Sequence, residues 1–187
     1  MISVIDAFEC LNLDIMACTE TWLFDGPAKK KAVEDLGGEV GISMIARNRR
    51  GRGAGVAILY QDSSLKLKEY KFKRKHYEIL AVKGTHSSVR GTLYIFVVYI
   101  KPSLNAQQKS ELLELLTDVV IQVKTKEDNP KIYVMGDFNK VQTDVLTLSL
   151  PTLIQLDSPP TRNEAHLDII ITNTPSAAQS TNDLLRS

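Results

Sequence analysis

The chain has 187 residues, of which 43% are hydrophobic and 24% are charged. This composition is that of one globular domain and excludes disorder along the whole chain, because the apolar fraction is sufficient for a core. The formal net charge is +1, so overall charge gives no indication of a nucleic-acid partner.

The N-terminus lacks the basic start of a secretory signal peptide and carries Asp6, Glu9 and Asp14 early on. The longest strongly apolar run, 93–100, is too short to span a bilayer. Two cysteines are too few for a disulfide framework. We therefore expect an intracellular protein with no membrane partner.

The first sixty residues contain patterns typical of one helix and two strands. Apolar residues at helical spacing predict a short helix over 3–13, and the apolar run 14–19 predicts a buried strand. Residues 27–36 are either a helix with proline at its first position or a surface loop. The glycine-rich run 51–55 predicts a tight turn that leads into a strand over 56–60.

The middle of the chain predicts three strands and a long helix. Residues 65–72 alternate apolar and basic side chains, which suits a half-exposed strand. Two further strands are predicted over 76–83 and 92–99. Residues 105–125 give the clearest helix, because their apolar residues form a stripe along one face.

The last third predicts strands over 131–135, 154–156 and 167–172. Strands thus outnumber helices, and continuous apolar runs indicate strands that are covered on both faces. Two packed sheets with helices outside satisfy this pattern. We expect one domain over 1–173, followed by a polar C-terminal tail over 174–187.

Four predicted strands carry a polar residue at one end that the local pattern does not require. Glu20 follows the first strand, Tyr99 ends another, Asp137 with Asn139 follows a third, and Asp168 opens the last. Each has a local alternative as a strand end, a core tyrosine, a turn or a surface residue. If the first three strands point one way and the last runs against them, these side chains meet at one rim.

Carboxylates grouped with an amide and a phenol form a site of hard oxygen ligands. Such a site suits Mg²⁺ or Mn²⁺. A metal ion there would polarise a phosphoryl oxygen and stabilise the leaving oxyanion, while a carboxylate orients the attacking water. The chemistry that fits is hydrolysis of a phosphodiester.

Between residues 47 and 75 ten basic residues stand against two acidic ones. A local excess of this kind is able to follow a phosphate backbone, although a solvated face is an equal alternative. We regard Arg50 and Arg52 as candidate DNA contacts.

Five segments resemble, in order, the signature blocks of the endonuclease/exonuclease/phosphatase superfamily (DNase I-like). The combination of TETW with GDFN is similar to the endonuclease domains of LINE-type non-LTR retrotransposons. The resemblance runs from about residue 14 to 173. Its blocks are ACTETWL (17–23), GRGAGVAILY (51–60), VVYIKPS (97–103), YVMGDFN (133–139) and PTRNEAHLDIIITN (160–173).

The resemblance implies a four-layer αββα sandwich of two mixed sheets and a role for each rim residue. Glu20 would bind the metal, Tyr99 would contact the phosphate, and Asp137 would position or activate the water. Asn139 would help hold the scissile phosphate, and Asp168 would support a catalytic histidine. Arg162 would contact DNA.

The resemblance also implies a Mg²⁺-dependent (or Mn²⁺-dependent) DNA endonuclease without a small-molecule cofactor. It would be nuclear, and its partners would be DNA and the reverse transcriptase domain of a parent polyprotein. The family's first strand, with its asparagine, and its closing Ser-Asp-His block have no match here, so we expect a domain incomplete at both ends. The alternative is a catalytically inactive remnant that at most binds DNA.

Overall fold

The computed structural model describes residues 4–21, 42–47, 55–74, 77–139, 141–156 and 167–175. The helices of this part are α1 (Val4–Cys10), α2 (Ala106–Lys126) and α3 (Asp144–Ser149). Its strands are β1 (Ile15–Thr19), β2 (Ile42–Arg47), β3 (Val56–Gln61), β4 (Leu65–Glu69), β5 (Glu78–His86), β6 (Val89–Tyr99), β7 (Lys131–Asp137), β8 (Ile154–Gln155) and β9 (Asp168–Thr172).

Both predicted helices and all predicted strands of the described part are present, with ends displaced by a few residues. Two described elements, β2 and α3, were not predicted. The segments 27–36, 51–54 and 176–187, for which we predicted a helix or loop, a turn and a tail, lie outside the described residues.

The strands form two sheets. The small sheet has the order β1-β3-β2 with antiparallel pairs. The large sheet has the order β4-β5-β6-β7-β9-β8 and is mixed, because β6 and β7 are parallel while the other neighbours are antiparallel. The α2 crossover joins the two parallel strands, as a parallel connection requires.

The two sheets pack face to face, with helices on their outer faces. Alternate residues of β3, β5 and β6 point into the space between the sheets, where Ile58, Val82 and Ile95 are fully buried. The other face of the large sheet packs on α2, and the outer face of the small sheet packs on Phe8 of α1. The result is the expected α/β fold with four layers, helix, sheet, sheet and helix.

Helix α2 is fixed at its start and along its buried face. Asn105 caps it, accepting a hydrogen bond from the backbone of Gln108, and the Gln108 side chain accepts one from the backbone of Asn105. Leu112, Leu116 and Val120 of α2 are fully buried against the large sheet. No helix in the described part of the chain is long and apolar enough to cross a bilayer.

Asn173, the last residue of the PTRNEAHLDIIITN block, has a structural role. Its side-chain oxygen accepts from the backbone N–H of Ile132 at 2.8 Å, and its amide donates to the carbonyl of Pro130 at 2.7 Å. These bonds join the end of β9 to the start of β7. They hold the register in which the opposite ends of the two strands, Asp168 and Asp137, lie side by side.

Candidate active site

Four polar residues form a row across the large sheet at one end of its central strands. In the register of the sheet, Glu78 of β5 is opposite Tyr99 of β6, Tyr99 is beside Asp137 of β7, and Asp137 is opposite Asp168 of β9. Neighbours in register point to the same face of a sheet. Tyr99 belongs to the core between the sheets, so the row lies on the face that looks towards the small sheet.

Glu20 reaches this row from the small sheet. It follows β1 directly and has a φ of 51°, a left-handed conformation that is uncommon for a residue with a side chain. The hydroxyl of Tyr99 donates a hydrogen bond to the Glu20 carboxylate. The structure therefore brings Glu20 to the same rim as the predicted residues of the large sheet.

The carboxylates of the rim repel one another. The pKa of Asp137 is raised, first because the side chain is partly buried and further by the negative charges of Asp168 and Glu20. A hydrogen bond from the backbone N–H of Asn139 to Oδ1 of Asp137, 2.9 Å long, opposes this shift. An unbalanced negative charge of this kind is relieved by a bound cation.

Tyr99 keeps its proton at neutral pH. Burial raises the pKa of its phenol, and so do the hydrogen bond to Glu20 and the negative charges of Glu20, Asp137 and Glu78. The hydroxyl is therefore a hydrogen-bond donor over the whole physiological range.

Asn139 holds the loops that follow β6 and β7. It has a φ of 44°, its backbone N–H donates to Asp137, and its side-chain amide donates to the carbonyl of Ile100 at 2.7 Å. Ile100 follows Tyr99 in the chain, so the Asn139 side chain connects the residue after Tyr99 to the loop that follows Asp137. Phe138, between the two polar residues, points the other way and is fully buried against the helix side of the sheet.

The predicted DNA contacts Arg50, Arg52 and Arg162 lie outside the described residues, as do His76 and His166. His86 is within the described residues and ends β5, at the far end of the strand from Glu78. Its ring contacts Ser88 and lies 3.5 Å from a carboxylate oxygen of Asp14. It is therefore remote from the rim.

The donor set fits a magnesium ion. Among the described side chains, no group of three His, Cys, Asp or Glu residues is arranged to hold a metal by itself. Mg²⁺ does not need such a group, because it keeps several waters and uses one or two carboxylates. Glu20 and Asp137 would supply these. The buried hydroxyl of Thr21, beside Glu20, has no hydrogen-bond partner within the described residues, which is consistent with a further polar group at this rim.

Comparison with solved structures gives similarity of fold at low sequence identity. A humanized D. rerio TDP2 with 14 mutations is 14% identical, with a TM-score of 0.62 over 95% of this chain and 77% of that chain. The human Nocturnin catalytic domain with bound sulfate is 16% identical, with a TM-score of 0.66 over 91% of this chain and 73% of that one. An endonuclease/exonuclease/phosphatase family protein from Bacteroides thetaiotaomicron is 14% identical, with a TM-score of 0.66 over 88% and 70%.

The fold is that of the endonuclease/exonuclease/phosphatase proteins. Models of protein families give no match to this sequence, and curated proteins give none either. At identities of 14–16% the similarity concerns the fold.

In this endonuclease/exonuclease/phosphatase fold, the rim holds two residues that we did not predict, Glu78 and Lys101. The Glu78 side chain is 4% exposed and lies 2.9 Å from the ammonium group of Lys101. A signal for Glu78 was present, since it opens a buried strand just as Asp168 does. The predicted strand began at residue 76, so Glu78 was placed inside it. Lys101 stands in the VVYIKPS block beside Tyr99.

Proposed function

We propose that this chain is a Mg²⁺-dependent (or Mn²⁺-dependent) phosphodiester hydrolase. The observation that carries the proposal is the meeting of Glu20, Tyr99, Asp137 and Asp168 at one rim, from strands of two different sheets. Burial and the negative charges of Asp168 and Glu20 raise the pKa of Asp137, so its ionised form opposes folding. A phosphoryl group bound with a cation makes use of all four.

The side chains have separate tasks in this reaction. Glu20 and Asp137 would hold a metal ion, whose positive charge would polarise the phosphoryl group. The Asp137 carboxylate would also accept a hydrogen bond or proton from the attacking water. Tyr99 donates a hydrogen bond to a phosphoryl oxygen. Asn139 keeps the backbone of the Asp137 loop in place.

The cations near the rim favour a polymer of phosphates, and we propose that this polymer is DNA. Arg47 and Arg74 both donate to the carbonyl of Ile79, at 2.8 and 3.4 Å, and Arg74 is also paired with Glu69 at 2.8 Å. Ile79 follows Glu78, so both guanidinium groups lie near the acidic rim, where positive charge attracts the phosphates of a polymer. Among the similar structures, a D. rerio TDP2 is complexed with a single-strand DNA product.

The finer proposal is a nicking endonuclease of a LINE-type retrotransposon, acting in the nucleus beside a reverse transcriptase domain. It depends on the TETWL, GDFN and LDIIITN blocks. A nick made by such an enzyme would supply the end from which reverse transcription starts.

A second candidate is a domain that binds DNA without cleaving it. A histidine general acid or base at the rim would assist phosphoryl transfer, and the described histidine lies at the far end of β5. Loss of such a group typically reduces the rate about 10²–10⁴-fold. The two candidates differ in turnover and agree in DNA binding.

The two candidates are separated by nicking of supercoiled plasmid with Mg²⁺ and with EDTA. We expect slow nicking that requires Mg²⁺ and that is strongly reduced in Glu20→Gln and Asp137→Asn. Asp118→Asn, which changes an exposed carboxylate of α2, should nick as the wild type does. A gel shift with the same DNA, measured in parallel, tests the DNA binding that the second candidate requires.

Nicking by the wild type that equals nicking by both rim variants would contradict the enzyme. If the gel shift persists with no Mg²⁺-dependent nicking, the second candidate is correct.

A further inference from the structure

The buried ion pair of Glu78 and Lys101 is the feature of the rim that the proposed reaction does not yet use. Glu78 faces the space between the sheets, on the same side as its neighbours Leu80 and Val82, and its side chain is 4% exposed. The Lys101 side chain is 25% exposed. A carboxylate so deeply buried is destabilising unless it is paired, and a buried ion pair rarely adds stability over apolar residues of similar size.

The two oxygens of Glu78 have different partners. Oε2 accepts a hydrogen bond from the backbone N–H of Gly55 at 2.9 Å. Oε1 lies 2.9 Å from the ammonium of Lys101, as an ion contact rather than a well-directed hydrogen bond. Glu78 therefore ties a residue just before β3 of the small sheet to a residue just after β6 of the large sheet.

Gly55 also contacts Thr21, the residue that follows Glu20. Its φ is 107°, a conformation that glycine adopts without strain, and its carbonyl accepts the backbone N–H of Thr21 at 3.2 Å. Thr21 follows Glu20, whose own backbone is left-handed. A residue in that conformation keeps it only when the surrounding structure holds it there.

We propose that Glu78 is a positioning residue for Glu20, acting through Gly55 and Thr21, with Lys101 as its counter-ion. This inference rests on the proposed function, because it assigns a purpose to the placement of the Glu20 carboxylate. The chain of contacts runs from Lys101 to Glu78, to the backbone of Gly55 and to the backbone of Thr21. It orients a ligand of the cation without touching the cation.

Two readouts in folded protein test the proposal, namely the dissociation constant for Mn²⁺ by calorimetry and hydrogen exchange of the Thr21 amide without metal. Glu78→Ala removes the acceptor for Gly55 and should weaken Mn²⁺ binding by about 10-fold or more, the range for groups that orient metal ligands. It should also speed exchange of the Thr21 amide.

Glu78→Gln keeps an acceptor oxygen but leaves Lys101 without its counter-ion. We expect an intermediate loss of Mn²⁺ affinity, recovered to within about threefold of the wild type when Lys101→Met is added to Glu78→Gln. The single change Lys101→Met should also weaken Mn²⁺ binding, because the carboxylate loses its cation and no longer holds Gly55 in place. Recovery in the double variant is not expected of a residue that only stabilises the fold.

The control is Glu127→Gln. Glu127 accepts hydrogen bonds from Tyr94 and Thr92 of the same strand as Tyr99, away from the rim. This change should lower the melting temperature and leave both readouts at wild-type values. If Glu78→Ala binds Mn²⁺ as the wild type does and Thr21 exchanges at the wild-type rate, Glu78 does not position Glu20.

Glu20→Gln distinguishes the failure of this inference from the failure of the proposed function. Mn²⁺ binding lost in Glu20→Gln but retained in Glu78→Ala overturns the positioning role alone. Mn²⁺ binding unaffected by Glu20→Gln overturns the metal site itself, and with it the purpose assigned to Glu78.

Discussion

Gly136→Ala is expected to lower the free energy of unfolding by about 4 kcal/mol, a large part of the stability of a domain of this size. Gly136 has a φ of 138°, which residues with a side chain rarely adopt. A Cβ atom there would lie 2.0 Å from the carbonyl oxygen of Val98. Backbone strain contributes roughly 2 kcal/mol and the overlap roughly another 2. Val98 is in a central strand, so it has no room to move away. Urea denaturation measures the change.

Two other glycines separate the contributions to this loss. Gly91→Ala has strain without overlap, because φ is 105° and the nearest atom, the Asn129 carbonyl oxygen, is 3.5 Å from the new Cβ. Gly84→Ala has overlap without a positive φ, at 1.9 Å from the carbonyl oxygen of Lys66 on the edge strand β4, which is able to shift. Each of these two variants should lose about half as much free energy of unfolding as Gly136→Ala. A Gly136→Ala variant within about 1 kcal/mol of the wild type would contradict the tight pairing of β6 and β7 at the site.

Asp137→Asn is expected to reduce the turnover number about 10²–10⁴-fold without loss of stability. Asparagine keeps the acceptor for the Asn139 N–H and removes the charge. Because the pKa of Asp137 is raised in the folded chain, its ionised form opposes folding above the ordinary pKa of aspartate. The neutral amide should therefore unfold at the same or a higher urea concentration at pH 7 in metal-free protein.

Glu20→Gln should have a different kinetic signature. We expect the Mg²⁺ concentration for half-maximal nicking to rise at least tenfold with the rate largely recovered at saturating Mg²⁺, whereas Asp137→Asn, which also removes the acceptor for the attacking water, should lower the rate even at saturating Mg²⁺. Titrating Mg²⁺ with each variant measures both effects, and Asp118→Asn serves as the control. Equal rates for Asp137→Asn and the wild type at saturating Mg²⁺ would remove Asp137 from the reaction.

The sequence predicted those elements whose buried residues form a recognisable apolar pattern. Helix α2 has a continuous apolar stripe, and β6 has an unbroken apolar run, so each was located to within a few residues. Strand β2 (ISMIAR) has neither a strict alternation nor an unbroken apolar run, and helix α3 has six residues, fewer than two turns, which is too short to show a helical period. Val145 and Leu148 of α3 are also exposed, so its apolar residues do not mark one buried face.

The rim was predictable in part because strand ends are visible in sequence. Tyr99, Asp137 and Asp168 were grouped on the assumption of parallel and antiparallel neighbours, and the register of the large sheet brings them side by side. The contact between Glu20 and Tyr99 joins two sheets and depends on how those sheets pack, which no local pattern encodes. Glu78 was missed for another reason, because the predicted strand began at residue 76 and so placed Glu78 inside it.

The most direct measurement of the central claim is an anomalous difference map from crystals grown with Mn²⁺ in place of Mg²⁺. The account predicts a peak about 2.1 Å from a carboxylate oxygen of Glu20, on the side that faces Asp137. A map with no peak between Glu20 and Asp137, at Mn²⁺ concentrations that support nicking, would contradict it.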